Sequence, residues 1–236
     1  LTAHTPLDDK QREYVDTIQN AGEALLSLLN DVLDYSKLEK GAIVVEQIPF
    51  GLRAMVQSVV TLMSGRANEK DLRLVTHIGD DVPDHLTGDP NRIRQVLINL
   101  LSNAIKFTDT GSVTIEVTRD AADSAGDGVR LQIKVIDTGI GISKEAQDKL
   151  FSAYNQADAS IARRFGGTGL GLNICRMLVQ AMGGDVHVHS ILGQGSTFWF
   201  TLTLQPASAE FEAAGEIDVD TVKIPPLNVL VVDDNP

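Results

Sequence analysis

The segment DPNRIRQVLINLLSNAIKFTDTG, Asp89 to Gly111, constrains the fold of this chain most. Asp89 stands as an N-cap and Pro90 takes the first helical position, so the start of a helix is marked twice. At about 100° per residue, Ile93, Leu97, Leu100, Leu101 and Ala104 share one arc, while Arg92, Gln95, Asn99, Asn103 and Lys106 share a wedge on the opposite side. A helix with one apolar face needs a second layer to cover it. Around it the pattern predicts a helix over 51–69, a strand over 72–78, strands over 112–118 and 130–136, and a short helix over 144–152. A helix follows the glycines near 170, and strands cover 185–190 and 197–204. Helices and strands in that irregular order predict an α+β fold, not a doubly wound sheet.

The polar wedge has two readings. It meets water, as polar helix faces usually do, or it meets a ligand. Asparagine is a poor helix former, and Asn99 and Asn103, four apart with Lys106 at the next turn, bring carbonyl oxygens and an ammonium to one small volume. Carbonyl oxygen suits a hard cation such as Mg²⁺, which lets phosphates and water complete its shell.

A second candidate lies in VRLQIKVIDTGIGIS, where Leu131, Ile133 and Val135 alternate with Gln132 and Lys134 before Asp137. This stretch reads either as a simple turn or as a carboxylate that accepts an exocyclic amine, as on adenine, with Gly139 and Gly141 clearing room for a flat ring. A third is FGGTGLGLNICRMLV, four glycines within six residues at the mouth of a helix. It lacks the Gly-Lys-Ser/Thr of a Walker loop and the preceding strand of a Rossmann turn. It is either a flexible loop capped by a helix or an anion site of unhindered N–H groups, with Arg163 and Arg164 just upstream.

Charge and composition bound the partners. The 236 residues carry a formal net charge of −12, the wrong sign for holding nucleic acid by counterion release. A small phosphorylated ligand stays open, because distant charge is screened beyond about 10 Å. Cys175 is the single cysteine, which excludes an internal disulfide, and no signal peptide or 18-residue apolar run is visible. The expected location is cytoplasmic, with no membrane contact from these residues and any anchor of the parent protein outside them. A first residue Leu1 and a final LNVLVVDDNP read as ends cut from a longer chain.

Residues 8 to about 40 carry Val15, Ile18, Gly22, Leu25, Leu29 and Val32 at alternating three and four spacing, widened by Ala21, Leu26, Leu28 and Leu33. This helix either packs on its own domain or joins a four-helix bundle, which the breadth of the stripe favours. Residues 206–226 are acidic, small and proline-ended, and read as a linker.

Taken in order, these segments resemble the catalytic and ATP-binding domain of sensor histidine kinases, in the GHKL group with gyrase, the Hsp90 chaperones and the MutL repair proteins. QVLINLLSNAIKFT looks like the N box, DTGIGIS the G1 box, LFSAYNQAD the F box and RRFGGTGLGLNICRMLVQAMGG the G2 box, with GQGSTFWF closing the fold. The resemblance implies a two-layer α/β sandwich of the Bergerat type, ATP with Mg²⁺ as cofactors, and an N-terminal helix that is half of a dimerising hairpin in a homodimer. It implies the following divisions: hairpin helix 1–41, catalytic domain 42–205, linker 206–226, and the first strand of a receiver domain, in cis or in trans, over 227–236. Asn99 and Asn103 would face Mg²⁺ and the phosphates, Asn103 as the direct ligand and Lys106 on phosphate. Asp137 would hold the adenine amine with Thr197 in support, while Gly139 and Gly141 line the base. Residues 155–168 would form a lid that includes Arg163, and Gly167, Thr168, Gly169, Leu170 and Gly171 would meet the phosphates. Phe151 would seat the lid, with Tyr154 where the family commonly has a second phenylalanine. Asp233 and Asp234 would be acidic Mg²⁺ ligands of the receiver.

Hydrolytic relatives carry a glutamate where this chain has Asn99, whose amide cannot take a proton from water near neutral pH. Phosphoryl transfer to a histidine is therefore expected over hydrolysis, with a nucleotide-sensing scaffold as the alternative outside enzymology. His4 in HTPL sits too close to the following helix to be the acceptor, and His77, His85, His187 and His189 lie within the nucleotide-binding region. The acceptor is expected upstream of Leu1.

Overall fold

Alternation decides the centre of the sheet: in VTIEVT and VRLQIKVID every second residue is buried, and the two strands pair antiparallel. A computed structural model describes residues 8–39, 44–120, 128–147, 150 and 170–207. Its elements are α1 (Asp9–Glu39), β1 (Ile48–Gly51), α2 (Leu52–Asn68), β2 (Arg73–Ile78), β3 (His85–Gly88), α3 (Pro90–Phe107), β4 (Ser112–Arg119), β5 (Val129–Asp137), α4 (Lys144–Gln147), α5 (Gly171–Ala181), β6 (Asp185–Ile191) and β7 (Gly195–Pro206). The strands form one sheet in the order β1-β3-β7-β5-β4-β2, with β6 also on β7. Strands β2 and β4 run parallel and the other pairs antiparallel. One side of the long β7 carries β6 along 195–201 and β3 at 205–206; its other side carries β5.

Helices α2, α3 and α5 cover one face of this sheet, giving the α+β fold expected from the residue order and the two-layer sandwich that the resemblance implies. Val113, Ile115, Leu131, Ile133, Phe200 and Leu202 meet Ile93, Leu97, Leu100 and Leu101 of α3, all at 1% exposure or less. The arc of α3 is wider than predicted, because Val96 and Ile105 are buried too. On the opposite face Lys134 pairs with Glu116 at 2.6 Å and His187 stacks on Trp199. Among the described residues no helix is long and apolar enough to cross a membrane.

The starts of α2 and α3 are secured by side chains. Asp89 accepts from the Arg92 N–H at 3.0 Å and, through its other oxygen, from the Glu46 N–H at 3.1 Å. Gly51 offers α2 no capping group, and Asp84 supplies it from the loop before β3 by accepting from the Arg53 N–H at 2.6 Å. Strand β3, four residues long, is the element the periodicity did not separate, since a strand that short carries too little alternation.

Helix α2 ends in a Schellman turn: the Leu72 N–H donates to Ala67 O and the Asp71 N–H to Asn68 O, both at 3.0 Å. Asp71 holds the left-handed position with φ 55°, where glycine is usual. Asp71→Gly should therefore raise stability by about 1 kcal/mol. A urea melt with an unchanged or lower midpoint would show that the aspartate side chain offsets its backbone cost.

Candidate functional site

Every member of the polar wedge of α3 is half-buried. Arg92 donates to Gln95 Oε1 at 3.0 Å, and Asn103 Nδ2 donates to Asn99 Oδ1 at 3.1 Å. The asparagine pair is thus a fixed unit, and the first residue of α5 closes on it. A Cβ on Gly171 would lie 2.5 Å from Asn99 Nδ2 and 3.1 Å from its Oδ1. The end of the glycine run therefore sits against the amide of Asn99. Gly171→Ala should displace that amide while the helix gains up to about 1 kcal/mol in propensity. Loss of nucleotide affinity at an unchanged melting temperature is expected; equal affinity would separate Gly171 from the site.

Asp137 ends β5, opposite Val113 on one side and Ser196 on the other. Its side chain is buried at 6% exposure, and its Oδ1 accepts from the Gly139 N–H at 2.8 Å and the Ser196 N–H at 3.2 Å. Burial pushes its carboxyl above the ordinary aspartate range, while the bonds from Gly139 and from the backbone and hydroxyl of Ser196 pull it back. Behind it, Ser190 Oγ donates to Gly195 O at 2.9 Å and bonds Ser196 Oγ at 3.0 Å. Ser190 Oγ also accepts from the Ile142 N–H at 2.8 Å. The carboxylate is thus held by a polar network in an otherwise apolar layer, and neither backbone bond uses its Oδ2.

The register shifts one expectation. Asp137 faces Ser196, whereas Thr197 lies one residue on, opposite Ile136 and His189 on the other face of the sheet. Ser196 is the residue that supports Asp137, and sequence reasoning placed that role at Thr197. The glycines also have a different physical basis from the one expected. A Cβ on Gly139 would stand 2.4 Å from Phe107 O, and one on Gly141, with φ +67°, 2.1 Å from Ile191 O. Close backbone packing demands both.

Through Gly139 the carboxylate is tied to the end of α3, where the Ile140 N–H donates to Phe107 O at 3.2 Å. Lys106 lies in that last turn with its ammonium 5.2 Å from the Phe107 ring centroid, and burial lowers its pKa from the ordinary lysine value. One helix therefore links three predicted parts: Asn99 beside Gly171 with Asn103 bonded to it, then Lys106, then Phe107 beside Gly139. Leu170 is buried at 3% exposure, so its side chain belongs to the core. Arg163, Gly167, Thr168, Gly169, Phe151, Tyr154, the lid over 155–168, His4, Asp233 and Asp234 lie outside the described residues. A cavity of about 620 Å³ lined by Arg53, Gln57, Thr76, His77 and Glu116 lies along α2, β2 and β4 and includes none of the predicted site residues.

Two family models match this chain. Residues 88–206 match the histidine kinase-, DNA gyrase B- and HSP90-like ATPase model, and residues 1–41 match the His Kinase A phospho-acceptor domain. The chain belongs to the histidine kinase-, DNA gyrase B- and HSP90-like ATPase family. It is 48% identical over 204 residues to the signal transduction histidine-protein kinase BarA of Escherichia coli strain K12, covering 86% of this chain and 22% of that protein. To the sensory/regulatory protein RpfC of Xanthomonas campestris pv. campestris it is 43% identical over 226 residues, 95% of this chain and 30% of that one. The crystal structure of full-length ShkA in complex with AMPPNP superposes with a TM-score of 0.73 at 36% identity, over 88% of this chain and 42% of that one. This chain thus spans under a third of the two sequence relatives named here.

Proposed function

We propose that this chain is the ATP-binding, catalytic part of a hybrid sensor histidine kinase, which transfers the γ-phosphoryl group of ATP to a histidine outside the described residues. The observation that carries this reading is the junction of Asn99 with Gly171 on a helix whose end seats the buried Asp137 loop. Asp137 accepts the adenine amine, Ser196 holds the carboxylate, and Asn99, Asn103 and Lys106 face the phosphates. Gly167, Gly169 and Gly171, with Thr168 and Arg163, contact the phosphates. The donor set fits Mg²⁺: the Asn99–Asn103 bond uses the amino group of Asn103 and leaves its carbonyl oxygen to a hard cation. Neutralising phosphate charge is what Mg²⁺ would supply there. Asn99 cannot deprotonate water, so transfer is directed to a positioned nucleophile. ShkA, related to this chain, binds AMPPNP, which supports the nucleotide assignment.

The domain division 1–41, 42–205, 206–226 and 227–236 belongs to the same proposal, with Asp233 and Asp234 as acidic residues of a receiver. Helix α1 supports a homodimer: Ile18, Leu25, Leu29 and Val32 recur at bundle spacing and are each about half or more exposed. The test is to mix this chain with a phospho-acceptor hairpin and ATP labelled at the γ position. Acid-labile, base-stable label on the hairpin is the expected result. Bound nucleotide without transfer would instead make the chain a sensing scaffold, and free phosphate alone would make it an ATPase.

A further inference from the structure

The last turn of an α-helix leaves four carbonyls without helical partners, and in α3 these belong to Ala104, Ile105, Lys106 and Phe107. All four are satisfied. Thr108 Oγ1 donates to Ala104 O at 2.7 Å and the Ile140 N–H donates to Phe107 O at 3.2 Å. The two between share one ammonium: Lys70 Nζ donates to Ile105 O and Lys106 O, both at 2.9 Å, and to Thr108 O at 3.2 Å. An ammonium has three donors, so Lys70 commits its full capacity to this one turn. A cation there also complements the negative end of the helix dipole.

Lys70 reaches α3 from another element. It sits in the Schellman turn of α2, directly before Asp71, whose φ of 55° fixes the direction in which the chain leaves. The turn it clamps contains Lys106 and the Phe107 carbonyl against which Gly139 packs. We propose that Lys70 is a positioning residue of the nucleotide site: it holds the last turn of α3 so that the Lys106 ammonium stays directed at phosphate. With its three donors on carbonyls, it acts through Lys106 and does not touch the nucleotide. The inference rests on the nucleotide-binding reading above.

Calorimetric titration of the full chain with MgATP tests it in wild type, Lys70→Met, Lys106→Met and the double variant. Lys70→Met is expected to bind MgATP about tenfold more weakly, and the double variant to bind no more than about twofold more weakly than Lys106→Met alone, because the two act as one unit. Affinity unchanged in Lys70→Met overturns the proposal, as do losses that multiply in the double variant, the sign of a purely structural role. If Lys70→Met does not fold, Lys70→Gln is measured in its place against the same outcomes. Failure of the wild type to bind MgATP would overturn the nucleotide reading itself and this inference with it; wild-type binding with an inert Lys70 removes the inference alone.

Discussion

Asp137→Asn is expected to weaken MgATP binding about 30-fold, the loss of one hydrogen bond to a charged group, without lowering the melting temperature. The Gly139 and Ser196 N–H groups both donate to Oδ1, and an amide oxygen can keep both bonds. The other oxygen becomes an NH₂ group, which would set donor against the adenine amine. Stability should hold or rise, since burial disfavours the ionised carboxyl and the amide carries no charge. Calorimetry and a thermal melt on the same samples check the split. Unchanged affinity would remove Asp137 from the base site, and a parallel fall in melting temperature would make its role structural.

The same residue gives a pH signature with two opposite signs. Its folded pKa is raised above the unfolded value, so its contribution to stability is fully present below the unfolded pKa and is lost as pH rises through the folded one. Binding needs the carboxylate, so affinity should fall as pH drops through that same raised value. The difference between wild type and Asp137→Asn, followed from about pH 4 to 7, isolates both trends. Curves that move together would contradict the assignment.

Gly195→Ala should be the most damaging single methyl addition in the described site, costing about 3 kcal/mol from a forbidden backbone region and an overpacked contact together. Gly195 has φ +107°, and its Cβ would stand 2.0 Å from Asp137 O and 2.9 Å from Asp137 C. No flexible side chain lies in the way to yield. Relief would have to come from β5 and β7 separating where Asp137 faces Ser196, so nucleotide affinity should fall with stability. Denaturant unfolding measures the first effect and MgATP titration the second. A loss under about 1 kcal/mol would mean that the β6–β7 turn adjusts more easily than its close contacts imply.

The parts of the candidate site legible in the sequence are those written in local chemistry. Asp89 and Pro90 announce α3, and its 3.6-residue period separates a core arc from the wedge of Asn99, Asn103 and Lys106. Alternation alone placed Asp137 at the end of a half-buried strand. The resemblance implied Thr197, whereas the pairing sets Ser196 opposite Asp137; facing across strands depends on register, and a shift of one residue moves a side chain to the other face. Gly139 and Gly141 looked like room for a ring because their contacts, Phe107 O and Ile191 O, come from distant segments. Lys70 carried no signal, since it lies 35 residues from Ile105, whose carbonyl it binds.

Residue order by itself determined most of the helices and the longer strands, and which of their faces are apolar, because caps and periodicity act within a few residues. Only the tertiary structure decided that Gly171 meets Asn99, that Ser196 holds Asp137 and that Lys70 closes α3. Those contacts depend on how separate elements approach and register, which side-chain periodicity along one element does not encode.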